Sequence, residues 1–330
     1  MQLLTPTDIQ PLCPRIAHGD KLLVMGSCFA SHIGGRLAQM KWQAEVNPFG
    51  VLYNPSSIAE ALSLLMDYRP LKEDTLTLFP DGGWNTWLHH SAYSLPDKDK
   101  SLTQINERME LAAKRLVEAD VLVITLGTAW VYRLKENGRI VGNCHKMPDR
   151  MFVRQRLTVG DIVSEYVALL SRLWSVNPQL RILFTVSPVR HLKDGLHGNQ
   201  LSKSTLLLAV DELCATFPEQ CYYFPAYEIV VDELRDYRFY AEDMAHPSMQ
   251  AVEYVWECFV EHCVDADAQA FMAQWVKVVR ALEHRPFRPE SEQYLQFVQQ
   301  NLLKITDLKE RYPYIEVDKE IDLCHTLLKP

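Results

Sequence analysis

The chain lacks the features that mark several common classes of protein. No apolar run approaches the roughly 18 residues of a membrane helix, so no membrane insertion is expected. The segment from Met1 to Gly19 has no apolar core of signal-peptide length, and the expected setting is the cytoplasm. Lys and Arg form no basic stripe and the formal net charge is −8. That balance argues against a nucleic-acid partner, because phosphate binding needs clustered cations. None of the eight cysteines (Cys13, Cys28, Cys144, Cys214, Cys221, Cys258, Cys263, Cys324) forms a Cys-x-x-Cys pair, so they read as reduced and mostly buried. No internal repeat and no low-complexity tract occurs. The segment after Met25 is not the glycine- and Ser/Thr-rich loop that cradles a phosphate, which argues against a flavodoxin-like cofactor binder.

The composition is that of a folded globular protein, with 48% hydrophobic residues, 23% charged residues and seven Trp in 330 residues. Such a length holds one large α/β domain with an extension, or two domains. Five short apolar runs bounded by breakers read as buried strands: Lys21–Met25, Trp42–Val46, Val121–Leu126, Arg181–Val186 and Cys221–Phe224. Between them, Ser31–Met40, Pro55–Tyr68, Ile105–Glu118, Thr158–Trp174 and Ser202–Phe217 carry helical spacing, with Pro55 suited to a first turn. Strands alternating with helices predict a parallel sheet covered on both faces, a three-layer α/β/α architecture. Pro70–Lys100, polar and rich in Asp, Gly and Pro, reads as a long surface excursion, and Trp130–Gly142 as a hairpin around Glu136-Asn137-Gly138-Arg139. Residues 1–248 are expected to form the sheet domain. Residues 249–330, helical through Leu282 and again from Glu290 to Leu308, are expected to form a helical extension packed on it.

Ligands of open parallel sheets bind outside the carboxyl ends of the strands. Each strand here leaves into residues of catalytic type: Gly26-Ser27-Cys28, then Asn47-Pro48-Phe49-Gly50, Gly127-Thr128-Ala129, Ser187-Pro188-Val189-Arg190-His191 and, past a further loop, Asp243-Met244-Ala245-His246. The Asp-x-x-His spacing lets one side chain orient the other, as a base that serves a nucleophile requires. The nucleophile is Cys28 or Ser27, and a packing role for both is the remaining reading. A helix N-terminus and a nearby histidine are expected to lower the Cys28 thiol pKa. Asn143-Cys144-His145-Lys146 either lines the cleft or packs beneath the hairpin. Arg190 and His191 either hold a substrate anion through the Arg fork or leave Arg190 to pair with Glu228 or Asp232. Cys258-x3-His262-Cys263 is better explained by inward packing than by a metal, which would need a fourth ligand.

Gly26-Ser27-Cys28-Phe29-Ala30 resembles the motif that names the GSCFA family, a bacterial branch similar to the SGNH or GDSL-type hydrolases. The resemblance extends over about residues 20 to 250 through Asn47-Pro48-Phe49-Gly50, Thr125-Leu126-Gly127-Thr128, Asn143-Cys144-His145-Lys146, Ser187-Pro188-Val189-Arg190-His191 and Asp243-Met244-Ala245-His246-Pro247. It implies the flavodoxin-like strand order 2-1-3-4-5. It also implies ester or thioester chemistry, with an acylated saccharide as one substrate class, and requires no cofactor or metal. In that register Cys28 falls on the nucleophile, Asp243 and His246 on the fifth-block pair, Gly50 on an oxyanion donor and Gly127 on the third-block glycine. The third-block asparagine falls on Ala129, which has no side-chain donor. Losing one oxyanion donor removes about 3 to 4 kcal/mol of transition-state stabilisation. Thr128, Asn143 and Asn47 are the candidates to replace it. That gap keeps open a second function, a non-catalytic protein that binds a small molecule or partner in the same cleft.

Overall fold

The computed structural model describes residues 5–329. Five strands form one sheet: β1 (Lys21–Gly26), β2 (Gln43–Val46), β3 (Val121–Leu126), β4 (Arg181–Val186) and β5 (Cys221–Tyr223). Their order is β2-β1-β3-β4-β5, and every neighbouring pair is parallel. The expected 2-1-3-4-5 topology is therefore present. Val24 of β1 pairs with Val46 and with Val123, so β1 is hydrogen-bonded on both sides.

The period of two along a strand divides the side chains between two faces. Leu23 and Met25, Leu122 and Ile124, and Ile182 and Phe184 join one core with helices α2 (Pro55–Met66), α3 (Lys98–Glu118), α4 (Val159–Val176) and α5 (Gly195–Thr216). Leu22 and Val24, Val121 and Val123, and Leu183 face α1 (Cys28–Gln39) and α6 (Met249–Cys263) in a second core. The chain continues as α7 (Ala266–Glu283), α8 (Glu292–Arg311) and α9 (Asp318–Leu327), which share a third core around Phe271, Trp275, Ile305 and Ile315. Among the described residues no helix is long and apolar enough to cross a membrane. All eight cysteines are free; Cys221, Cys263 and Cys324 are buried, whereas Cys13 is exposed and the rest are half-buried.

Two segments differ from their sequence reading. Pro70–Lys100 is more than a surface excursion. Thr77–Leu78 pairs antiparallel with Trp84–Asn85, and Leu76, Phe79, Leu88 and His89 are buried. Its buried polar side chains pair within the segment, His89 through Nδ1 alone. Asn85 donates to the His90 carbonyl and to Ser94 Oγ at 3.0 and 2.9 Å, and Thr86 Oγ1 lies 2.7 Å from His89 Nδ1. The hairpin at Trp130 gains a third strand: Trp130–Leu134 pairs with Ile140–Val141 on one side and Phe152–Arg156 on the other. Tyr132 stands opposite Arg154, whose guanidinium lies over the Trp130 ring at 4.4 Å.

The C-terminal helices are anchored through His18. Its ring is buried, 3.9 Å from the Phe271 ring and 4.7 Å from Trp42. Nε2 lies 2.9 Å from the Met40 carbonyl and Nδ1 3.1 Å from the Tyr314 hydroxyl. Burial lowers the His18 pKa below its ordinary value, against the Met40 carbonyl and Asp265. The folded chain therefore favours neutral His18, while the unfolded chain takes up the proton first as pH falls. Its contribution is complete above about pH 6.5 and declines as pH drops below that value. The melting temperature is expected to fall between pH 7 and pH 5 by more in the native protein than in His18→Gln. Parallel slopes for the two would remove His18 as a source of that acid sensitivity.

Candidate active site

The turn after β1 is fixed by glycine and asparagine. Gly26 has φ +137°, and a Cβ there would lie 2.1 Å from the Thr125 carbonyl oxygen. Only glycine fits. Asn47, at the end of β2, accepts the Gly26 N–H at 2.8 Å through Oδ1 and donates from Nδ2 to Ser31 Oγ at 2.8 Å. Asn47 thus ties the turn to α1, and it lines a cleft with Ser31 and Gly50 that is distinct from the cavity of Cys28.

Ser27 and Cys28 then part company. Ser27 is 1% exposed, its hydroxyl has no partner among the described residues, and it packs against Gly127. Cys28, the first residue of α1, is half-buried and lines a cavity of about 390 Å³ at the carboxyl edge of the sheet. Among the described residues the N–H groups of Cys28 and Phe29 have no carbonyl acceptor, as expected for a first helical turn. Burial pushes the Cys28 thiol pKa up; those two N–H groups and the Lys203 ammonium pull the other way without cancelling it. The expected lowering is therefore overturned, because desolvation of the thiolate outweighs the helix terminus.

His246 lines the same cavity. Its Nδ1 lies 2.6 Å from Asp243 Oδ2, and Asp243 Oδ1 accepts the N–H groups of Ala245 and His246 at 3.0 and 2.9 Å. Those bonds hold the exposed Asp243 carboxyl at about 2, so it stays ionised and can only accept. Nδ1 must then carry the proton, which leaves Nε2 free as an acceptor when the ring is neutral. His32, one helical turn beyond Cys28, has its pKa lowered by burial and then by the charge of His246. The Asp243 loop is tied to the end of β4 by the Arg190 N–H, which donates to the Ala245 carbonyl at 3.0 Å.

Arg190 and His191 both line the cavity. Arg190 pairs with neither Glu228 nor Asp232 among the described residues. Its guanidinium lies 3.9 Å from the centre of the Tyr240 ring, while Glu228 accepts the Tyr223 hydroxyl at 2.7 Å. Burial, then the Lys203 charge, push His191 down to about 4, so it is neutral near pH 7. Asn143 also lines the cavity; its Oδ1 accepts the His145 N–H at 2.8 Å, and its Nδ2 has no acceptor among the described residues. His145 does not reach the cavity. It stacks on Phe79 at 3.9 Å, with Nε2 2.8 Å from the Thr86 carbonyl.

The expected Gly50 backbone donor is occupied, and so are the N–H groups of Gly127 and Thr128. The N–H groups of Gly127 and Thr128 both donate to the Tyr53 carbonyl, at 2.8 and 2.9 Å. The Thr128 side chain lines the cavity, with its Oγ1 3.0 Å from Ser202 Oγ. The Gly50 N–H donates to the Asn47 carbonyl at 2.7 Å, and Gly50 lies in a different cleft with Ser31 and Arg108.

The sequence reading missed Lys203, Tyr53, Arg154 and Lys193. Lys203 is 0% exposed, and its Nζ donates to the Gly127 and Ser187 carbonyls, each at 2.6 Å. The signal was present. Lys203, Leu206, Val210 and Leu213 fall on the buried stripe of α5, and a lysine on an apolar stripe needs a reason. Tyr53, Arg154 and Lys193 line the cavity, and Arg154 pairs with the buried carboxylate of Asp194. Among the described residues no cluster of three or more His, Cys, Asp or Glu has the arrangement of a metal site; His262 Nδ1 lies 2.9 Å from the Cys258 carbonyl instead.

A family model described as "GSCFA family" matches residues 21–259, and one described as "GSCFA domain protein, C-terminal domain" matches residues 275–330. No curated protein matches the chain. Among solved structures it is similar to an acetyl xylan esterase (Est2A) from the rumen bacterium Butyrivibrio proteoclasticus, with 14% identity and a TM-score of 0.28. That alignment covers 46% of this chain and 38% of the esterase chain.

Proposed function

This chain belongs to the GSCFA family, and we propose that it is an acyl-transfer enzyme, a hydrolase or acyltransferase acting on an ester or thioester through Cys28, His246 and Asp243. The observation that carries this reading is that His246, paired with Asp243 at 2.6 Å, lines the same cavity as Cys28. In the reading, His246 Nε2 takes the Cys28 thiol proton and Sγ attacks the acyl carbon. The bond to the leaving oxygen or sulfur breaks as Nε2 returns the proton to it. Water or an alcohol then attacks the acyl-thioester, its proton going to Nε2, and the bond from the acyl carbon to Sγ breaks as Nε2 returns that proton to Cys28. Asp243 keeps the imidazole in the tautomer that leaves Nε2 free and stabilises the imidazolium. The free N–H groups of Cys28 and Phe29, with Asn143 Nδ2, are the donors proposed for the oxyanion. The volume admits a small acylated molecule, an acylated sugar unit among them.

The occupied N–H groups of Gly50, Gly127 and Thr128 favour the second reading, a binding protein that uses this cavity without turnover. One experiment separates the two. After incubation with an activated short-chain thioester, the intact mass is expected to rise by one acyl group, located on Cys28 by fragmentation. An adduct on Ser27 would overturn the choice of nucleophile. A protein left unmodified, with no thioester consumed, would favour the binder.

A further inference from the structure

The side chains around the Cys28 cavity carry a charge opposite to that of the chain. Arg154, Arg190 and Lys193 line it, and Asp194 is the one carboxylate among its described lining residues. That is an excess of two positive charges in a chain of formal net charge −8. A concave wall of one sign concentrates ligands of the other. Asp243, bonded to His246 Nδ1, is not among the lining residues.

The three cations are not equivalent. Arg154 is engaged: it pairs with Asp194, and its guanidinium lies over the Trp130 ring at 4.4 Å. Arg190 has no carboxylate within ion-pair distance among the described residues. Its guanidinium lies 3.9 Å from the centre of the Tyr240 ring, and Nη1 donates to the Met244 carbonyl at the long distance of 3.5 Å. A guanidinium carries five donors in a planar fork, so most of them remain for a ligand. Lys193 has, among the described residues, only the exposed Asp149 at 3.7 Å, a pair worth little in water. The main chain fixes where Arg190 stands. Its N–H donates to the carbonyl of Ala245, the residue before His246, at 3.0 Å. Arg190 is thereby tied to the loop of the group that protonates the leaving atom.

We propose that the ligand of this cavity is an anionic ester or thioester whose leaving group carries a carboxylate or phosphate, held by Arg190 and Lys193. The proposal rests on the acyl-transfer reading for the part of the ligand that bears the charge; binding of the anion needs no turnover. The anion takes no part in bond making and departs with the thiol or alcohol. The Arg fork matches two oxygens of either group, and the ammonium adds a point charge.

The test uses acetyl thioesters that differ only in the thiol: 3-mercaptopropionate, 2-mercaptoethyl phosphate and the neutral N-acetylcysteamine. Calorimetry on Cys28→Ala gives their dissociation constants, and kcat and KM are measured on the native protein. At least one anionic thioester is expected to bind about tenfold more tightly than the neutral one, and the tighter of the two identifies the anion. Adding Lys193→Gln or Arg190→Gln is expected to reduce that preference at least about threefold, with the loss in KM for Lys193→Gln. Equal affinity for charged and neutral thioesters overturns the proposal, as does a preference unchanged in both variants. A preference seen only for succinyl over acetyl on the neutral thiol would move the charge to the acyl end and overturn it too. Anion-dependent binding in a protein that releases no thiol would keep the anion site and reject acyl transfer. Turnover without charge preference would do the reverse.

Discussion

Cys28→Ala is expected to abolish acyl transfer, lowering kcat by at least about a thousandfold, in the range seen when a nucleophile is removed from a catalytic unit. Ser27→Ala is expected to stay within about threefold of the native rate, because the Ser27 hydroxyl is buried and unbonded and replacing it removes no contact with the cavity. The contrast is sharp because the two residues are neighbours. Any general disturbance of the turn would reduce both variants alike. His246→Ala should approach the Cys28→Ala floor, since His246 is the cavity-lining histidine whose Nε2 is left free by its bond to Asp243. Asp243→Asn should retain more activity at high pH than at neutral pH, because an amide can hold the ring but cannot stabilise the imidazolium. Hydrolysis of an activated thioester, followed in all four variants against pH, gives the comparison. Equal rates for native protein and Cys28→Ala would remove the cysteine from the mechanism, and a Ser27→Ala floor would transfer its role to the serine.

Gly26→Ala is expected to destabilise the fold by about 3–5 kcal/mol, at the upper end for a single substitution. The added Cβ would meet the Thr125 carbonyl oxygen, carbon and nitrogen at 2.1, 2.8 and 2.9 Å, all main-chain atoms of the adjacent strand. Relief requires β1 and β3 to separate where Gly26 pairs with Thr125. Positive φ adds strain to the clash. Gly35 is the control. It lies inside α1 with nothing within 4 Å of the place a methyl group would take, so Gly35→Ala should be neutral or stabilising by about 0.5–1 kcal/mol. Urea unfolding reads both. A Gly26→Ala midpoint near that of the native protein would show that the turn can relax, and the elbow would then not be a fixed platform for Cys28.

The sheet was legible because its strands are continuous apolar runs. Val121–Leu126 is buried along its whole length, as a central parallel strand should be, and the sequence bounds match the observed ones. Helix starts were less legible. Lys98–Glu118 begins seven residues before the predicted Ile105, because Asp97 caps it through the Lys100 N–H and its first turns are polar. The polar interior of the Pro70–Lys100 segment could not be read from composition, since Asn85 and His89 are buried only through partners that folding supplies. At the site, residue types identified Cys28, Asp243 and His246 as candidates. They said nothing about which N–H groups face the cavity. That depends on where the Tyr53 carbonyl lies, and it takes both the Gly127 and the Thr128 donors.

The Asn47 clamp has a consequence for chemical ageing. An asparagine deamidates when the nitrogen of the next residue attacks its side-chain carbonyl, a step that needs a hydrogen on that nitrogen. Asn47 is followed by Pro48, which has none. The side chain that holds Gly26 and Ser31 together is therefore protected from conversion to a carboxylate, which could neither donate to Ser31 nor remain buried cheaply. The exposed Asn137-Gly138 of the hairpin carries no such protection. On long storage the hairpin tip should accumulate negative charge while the elbow beneath Cys28 keeps its amide.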